Sequence, residues 1–324
     1  MKNFLSLLLR FGLSGVLLVY LFSKIDVGQM TEMLKSADFK YIFYAGTIFM
    51  VIHVFLLLRW TVFIRALDLH VSFQNIFNCF FIGLFFNLFL PTSTGGDIVK
   101  TIFLFKDTND KPKVVASVVA DRLCGFVSIC FVALVFFIFA HKLINDRSVL
   151  LSILVLAGVS LGLISILFSE RIFSFCCRIF PAKIKEKIMS LHYAIALLKG
   201  KKSALLTGVV LSCLSQMTLA YAFHLVAKAL HHEIPLIYFL TFVPMVCVVA
   251  SLPSIGGLGV RDAGVAYFFA KVGVATSTSV SISLINFFFM VLMGLLGGAI
   301  YVLALSPRRV QHHSSDARTH VEKN

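Results

Sequence analysis

The chain has 324 residues, of which 59% are hydrophobic and only 14% are charged. A mean hydropathy of +0.95 excludes an ordinary soluble domain, because so apolar a chain cannot present a charged surface to water on all sides. The formal net charge of +14 fits the Lys and Arg that membrane proteins concentrate in cytoplasmic loops. We therefore predict a polytopic membrane protein and expect no nucleic-acid partner.

Six apolar segments are long enough to cross a bilayer as α-helices. A helix rises about 1.5 Å per residue, so a hydrocarbon layer of about 30 Å needs about 20 residues. The predicted spans are 3–22, 41–65, 114–140, 149–168, 204–229 and 278–304. The first span is long and lacks a small-residue cleavage site, so we expect it to be retained in the protein.

Two further apolar segments are interrupted by related motifs. LPTSTGGDIVK occupies 90–100 and LPSIGGLGVR occupies 252–261. Each motif breaks a helix with Pro and Gly and then introduces a charged residue, so we predict re-entrant hairpins at 74–105 and 236–272. Tight loops at the membrane surface are the alternative, although a surface loop has no reason to occur twice with the same order of residues.

Counting both hairpins as re-entrant gives each half of the chain three spans and one hairpin. Because three is odd, the second half is inverted relative to the first, and we place repeat 1 at about 1–145 and repeat 2 at about 146–305. Most basic loop residues then lie on one side, which predicts cytoplasmic N- and C-termini. An extra full crossing in either hairpin region would invert everything after it. The predicted fold is one all-α polytopic membrane domain, 1–309, followed by a disordered cytoplasmic tail, 310–324.

Charged residues within or beside these segments are the main candidates for a functional site, because a bilayer tolerates them only when they are paired or hydrated. Three acid–base pairs are close in sequence: Asp97 with Lys100, Asp121 with Arg122, and Arg261 with Asp262. They either hold the hairpins to span 114–140 or contact a substrate. Both roles are compatible, since an arginine that is bound to an aspartate still has N–H groups that can donate hydrogen bonds to a phosphate.

The glycine pairs add a second feature of an anion site. A Gly-Gly turn that opens a short helix exposes backbone N–H groups at the positive end of the helix dipole. The predicted substrate-binding residues are Gly95, Gly96, Asp97, Lys100, Asp121, Arg122, Gly256, Gly257, Arg261 and Asp262.

Other polar residues of the spans receive structural interpretations. Arg59 lies near the cytoplasmic end of 41–65 and is expected to extend toward lipid headgroups, with Trp60 as an interfacial anchor. Gln216 is expected to bond to a neighbouring helix. His53 and His224 are interpreted as packing residues, with a proton relay as the alternative.

The motif residues carry a family resemblance. LPTSTGGDIVK, the Ala-Asp-Arg-Leu-x-Gly stretch at 120–125 and LPSIGGLGVRDAG together resemble the lysylphosphatidylglycerol synthetase transmembrane-region family, over roughly 5–305. This family includes the flippase domain of the bacterial multiple peptide resistance factor. The resemblance implies a bacterial inner-membrane protein related to phospholipid translocases. Only a short segment follows the last span, so the aminoacyl-transfer activity of the soluble synthetase domain is not expected. Asp121 and Asp262 stand where glutamate is more usual in the family.

These observations predict a lipid translocase, either flippase or scramblase, for an anionic phospholipid or an isoprenoid-linked lipid. One alternative is a non-transporting membrane subunit that docks a lipid-modifying synthetase or glycosyltransferase through the basic segment 170–202. Another is a membrane enzyme that uses Asp121 and Asp262 as acid and base. The seven cysteines form no Cys-x-x-Cys motif, and no ATP-binding motif occurs, so we expect no metal, cofactor or enzymatic activity. The expected partners are membrane phospholipids.

Overall fold

The computed structural model describes residues 35–88, 95–144, 146–169, 192–251 and 257–321, together with Glu32, Leu90, Met189 and Ser190. The helices in these residues are α1 (Phe39–Ala66), α2 (Phe73–Asn87), α3 (Gly95–Leu104), α4 (Lys111–Ala140), α5 (Arg147–Phe168), α6 (Lys202–Ala229), α7 (Leu236–Val249), α8 (Val260–Ala270) and α9 (Thr276–Val321). A short 3₁₀ helix, Leu197–Gly200, precedes α6.

Local sequence signals fix several helix starts. The carboxylate of Asp38 accepts a hydrogen bond from the Lys40 amide at 2.8 Å and caps α1. Ser72 caps α2, and Asp146 caps α5 by accepting from the Ser148 amide. Pro112 stands in the first turn of α4, where its missing N–H costs nothing.

Five helices are long and apolar enough to cross a membrane. They are Phe39–Ala66, Lys111–Ala140, Arg147–Ile166, Lys202–Ala229 and Thr276–Leu303. They confirm helices at five of the six predicted spans, and segment 3–22 lies outside the described residues. Helix α9 continues to Val321. It extends into segment 310–324, where a disordered tail stays a prediction.

Each interrupted apolar segment forms two short helices that pack against each other. Helices α2 and α3 approach so closely that a Cβ atom at Gly96 would overlap the carbonyl oxygen of Gly83. Helix α8 packs on α7 through Gly264, where a Cβ atom would lie 3.2 Å from Val249 Cγ1. The breaks therefore lie at the motifs, and small residues permit close contact between the two helices of each pair. Entry and exit on the same membrane side remain a prediction.

The last span of each half packs against the hairpin of the other half. Helix α9 packs against α2, and α4 packs against α7, while α1 and α6 form an extensive central contact. The α9–α2 contact depends on glycine, since a Cβ atom at Gly297 would overlap the Phe81 carbonyl oxygen. These reciprocal contacts place both helix pairs next to one central region, together with α1, α4, α6 and α9.

Candidate functional site

The central region contains a cavity of about 390 Å³. Residues from α1, α2, α3, α4, α6, α7, α8 and α9 line it. The predicted site residues among them are Gly96, Asp97, Lys100, Asp121, Arg122, Gly257 and Arg261. Gly95 and Asp262 are buried close by without lining the cavity, and Gly256 lies outside the described residues.

Five charged side chains form an alternating chain along the cavity wall. Arg59 Nε lies 2.5 Å from Asp121 Oδ1, and the other oxygen of Asp121 lies 3.8 Å from Lys100 Nζ. Lys100 Nζ lies 2.9 Å from Asp97 Oδ1, and Asp97 Oδ2 accepts a hydrogen bond from Arg122 Nε. The chain begins and ends with an arginine, so it carries one more positive than negative charge.

The order of these pairs corrects one sequence expectation. Asp121 does not pair with its neighbour Arg122 but with Arg59 of α1 and Lys100 of α3. Consecutive helical residues point about 100° apart, so they do not face each other across a helix surface. Asp121 and Arg122 therefore connect α4 to different partners. The expected Asp97–Lys100 pair is confirmed.

Arg59 is a charged site residue that the sequence interpretation missed. The expectation that it reaches lipid headgroups was wrong, because its side chain is buried, lines the cavity and donates to both Asp121 and Ser212 of α6. Arg59 lies seven residues before the end of α1, which is about 10 Å along the helix axis. This distance from the membrane surface is the sequence feature that indicates a buried role. Trp60 was also misinterpreted as an interfacial anchor. It is fully buried, donates to Ser117 Oγ, and its ring centroid lies 4.6 Å from Lys100 Nζ.

The second hairpin contains the expected Arg261–Asp262 pair, with Nη2 and Oδ1 3.2 Å apart. Ser283 of α9 donates to Asp262 Oδ1 at 2.5 Å and accepts from Arg261 Nε at 3.0 Å. The pair therefore holds α8 to α9, and not to α4 as the sequence interpretation allowed. In the first hairpin the ion pairs do join α3 to α4, as expected.

Two backbone amides at the helix starts have side-chain acceptors within this chain. The Gly96 amide donates to Asn87 Oδ1 at 2.7 Å, and the Gly259 amide donates to Asp262 Oδ2 at 2.9 Å. Side chains thus satisfy part of each helix N-terminus. These two amides are not available to an anion in this conformation. The basic side chains are therefore the better supported anion contacts.

Arg122 is the most accessible member of the charged cluster. Its side chain is 43% exposed, compared with 6–12% for Asp97, Asp121 and Lys100 and 9% for Arg59. Among the described residues its only hydrogen bond is made through Nε, so its terminal amino groups remain as donors toward the cavity. A planar guanidinium with spare donors suits a phosphate or carboxylate.

The remaining polar candidates differ from one another. His53 packs within α1, with Nδ1 3.0 Å from the Phe49 carbonyl oxygen, as expected. Gln216 lines the cavity, and among the described residues its Oε1 atom has no hydrogen-bond partner, contrary to the expected bond to a neighbouring helix. No group of three or more His, Cys, Asp or Glu residues in the described part of the chain is arranged to hold a metal ion.

The family assignment follows from the extent of the sequence match. The model of the lysylphosphatidylglycerol synthase TM region matches residues 7–298. The chain belongs to this family. The match includes both hairpins and every member of the ion-pair chain.

Relatives in the lysylphosphatidylglycerol synthase TM region family carry names without a stated activity. UPF0104 membrane protein PH1989 of Pyrococcus horikoshii is 25% identical over 94% of this chain and 97% of its own length. A UPF0104 membrane protein of Methanothermobacter thermautotrophicus is 22% identical over 83% of this chain and 88% of its own length. No solved structure matches this chain. Both relatives are archaeal, so they do not support the bacterial origin that the resemblance implied.

Proposed function

We propose that this protein is a lipid translocase for an anionic phospholipid or an isoprenoid-linked lipid. The headgroup crosses through the central cavity while the acyl or isoprenoid chains remain in the bilayer. The observation that carries this proposal is a cluster of ion pairs that, in the described part of the chain, holds one more positive than negative charge. It faces a cavity between the two hairpins, and Arg122 is its accessible end.

The charge of the site supports an anionic ligand. Among the described residues, four cations line the cavity, namely Arg59, Lys100, Arg122 and Arg261, and three carboxylates pair with them, namely Asp97, Asp121 and Asp262. An unpaired charge in a bilayer is costly. A phosphate would supply the missing negative charge. It would also accept hydrogen bonds from the terminal N–H groups of Arg122.

The size of the cavity supports entry of a headgroup without the chains. A volume of about 390 Å³ is near the lower end of the range of about 300–1,000 Å³ that is typical of small-molecule pockets. A complete two-chain lipid does not fit such a space. The predicted route therefore leaves the apolar chains in contact with the surrounding bilayer.

The arrangement of helices supports an inverted repeat. Helices α2 and α7 begin equivalent hairpins, and each packs against the last span of the other half. Helices α1 and α6, the equivalent middle spans, contact each other. Such reciprocal contacts are what a pseudo-twofold axis through the cavity would produce, and inverted repeats commonly underlie alternating access.

The alternatives receive less support. The basic surface proposed for a docking subunit lies mostly in 170–188, outside the described residues. For an enzyme, Asp121 and Asp262 would need to work as a pair. Each instead accepts bonds from basic side chains or Ser283, and Asp262 does not line the cavity.

The test is lipid movement in liposomes that contain the purified protein. Fluorescent phosphatidylglycerol should cross faster with the wild type than in empty liposomes, and Arg122→Ala should reduce this rate at least tenfold, since a lost charged hydrogen bond contributes about 1.5–3 kcal/mol. Lys113→Ala is the matched control, because Lys113 lies on the same helix and pairs with Asp110 outside the cavity. Equal rates for wild type, Arg122→Ala and empty liposomes would contradict the proposal.

A further inference from the structure

Three amide side chains line the cavity on helices that do not carry the ion-pair chain. Asn87 of α2 already accepts from the Gly96 amide, which leaves one amide on each of two helices of the second half. Gln216 belongs to α6 and Asn286 to α9, whereas the five charged residues belong to α1, α3 and α4. The cavity wall therefore combines a cationic cluster with neutral polar groups from the second half of the chain.

The amide of Asn286 has a fixed orientation. Its Nδ2 atom donates to the Ile282 carbonyl oxygen at 2.9 Å. A carbonyl oxygen only accepts, so the amide nitrogen must face Ile282 and the amide oxygen must point elsewhere. Asn286 is 2% exposed, and among the described residues its Oδ1 atom has no hydrogen-bond partner. Gln216 likewise leaves Oε1 without a partner in the described part of the chain.

Buried acceptors without donors are rare in native proteins, and a ligand or an ordered water in the cavity would supply the missing donors. An ionised phosphate cannot satisfy these oxygens, because it too is an acceptor. The basic side chains and the two amides thus require opposite properties from a ligand, namely a negative charge and a hydrogen-bond donor.

We propose that the lipid carried by this site has a phosphodiester headgroup with hydroxyl groups, such as glycerol or a sugar, and that Asn286 and Gln216 select it by accepting hydrogen bonds from those hydroxyls. This inference rests on the proposed translocase function. A lipid with a bare phosphate has the charge but lacks the hydroxyl donors.

The test compares two lipids with the same single negative charge. Fluorescent phosphatidylglycerol carries two headgroup hydroxyls, and fluorescent phosphatidylmethanol carries none. The wild type should move phosphatidylglycerol about tenfold faster, which corresponds to roughly one well-made buried hydrogen bond. Asn286→Leu, of similar size, should bring the ratio of the two rates close to one. Gln216→Met is a second, independent variant in case Asn286→Leu does not fold. A third arm with an isoprenyl phosphosugar distinguishes a glycerol headgroup from a sugar headgroup.

The outcomes separate this inference from the function on which it rests. A wild-type preference for phosphatidylglycerol that either variant abolishes supports the selection by amides. Equal wild-type rates for both lipids, or variants that fold and keep the preference, overturn the selection and leave the translocase function standing. If neither phospholipid moves but the phosphosugar does, the hydroxyl-bearing class is supported with a sugar headgroup. Movement of none of the three lipids overturns both proposals.

Discussion

Asp121 Oδ1 lies 2.5 Å from Arg59 Nε, across the contact between α4 and α1. Both side chains are less than a tenth exposed. The pair joins α4, which also carries Arg122 of the cluster, to α1, whose arginine was expected at the membrane surface. Its energetic role can be measured directly.

Asp121→Asn should destabilise the protein strongly. Arg59 would then be buried without a counter-charge, and loss of one partner of a buried ion pair costs about 3–5 kcal/mol. Thermal unfolding in detergent would measure the change. Asp110→Asn is the matched control, because Asp110 pairs with Lys113 in a half-exposed position and should cost less than about 1 kcal/mol.

The combined change Arg59→Met and Asp121→Leu should be more stable than Asp121→Asn alone. Replacement of both partners by apolar residues removes the buried charges together, and such replacements are often neutral. Lys100 and Asp97 still pair in this variant. A double variant as unstable as the single one would show that the pair itself, and not the uncompensated arginine, provides the stability.

Gly297→Ala should destabilise the contact between α9 and α2. The added Cβ atom would overlap the backbone oxygen of Phe81, so the helices must separate, at a cost of about 1–3 kcal/mol. Gly158→Ala on α5 is the control, since a Cβ atom there meets nothing within 4 Å. Alanine at that position should be neutral or stabilising. Equal unfolding temperatures for the two variants would contradict the assigned contact.

The stabilisation contributed by the ion pair between Asp146 and Lys271 should not depend on pH over the physiological range. The hydrogen bond from Lys271 Nζ, 2.8 Å from Asp146 Oδ2, and that from the Ser148 amide lower the pKa of Asp146 to about 2. A carboxyl with a lowered pKa contributes its stabilisation above its unfolded pKa, and that contribution falls as the pH decreases from about 4 toward 2. The difference in unfolding temperature between wild type and Lys271→Ala should therefore be constant from pH 5 to 8 and shrink below pH 4. A difference that changes between pH 6 and 8 would argue against this link.

The predicted topology can be tested with single cysteines in a cysteine-free background. Lys106→Cys should react with a membrane-impermeant reagent only from the cytoplasmic side. Lys142→Cys and His231→Cys should react only from the outside. A reversed result at either group would contradict the inverted repeat while leaving the helices in place.

The sequence predicted those features that depend on nearby residues. The spans follow from uninterrupted apolar stretches, and the breaks in 74–105 and 236–272 follow from motifs that combine Pro with a Gly pair, which disfavour a continuous helix. The helix from Phe39 to Ala66 differs from its predicted range by only a few residues.

The partners of the charged residues could not be predicted in the same way. Asp121 bonds to Arg59, which is 62 positions away, and only the packing of α4 on α1 brings them together. Adjacency in sequence suggested Arg122 instead. Likewise, Ser283 gave no sequence signal as a partner of Asp262, because a serine in a membrane helix commonly bonds to its own backbone.

The placement of the ion pairs has a consequence for conformational change. Every buried ion pair of the described residues joins elements of the same half: α1, α3 and α4 in the first, and α8 in the second. The contacts of α2 with α9, which connect the halves, include Gly294, Gly297 and Gly298 against Leu88, Phe81 and Phe85. A rotation of one half against the other would therefore break dispersion contacts, which vary smoothly with small displacements, and hydrogen bonds to neutral partners, such as that from Arg59 to Ser212. No buried charge would have to lose its counter-ion during such a motion, so the electrostatic part of the barrier between two conformations would be small.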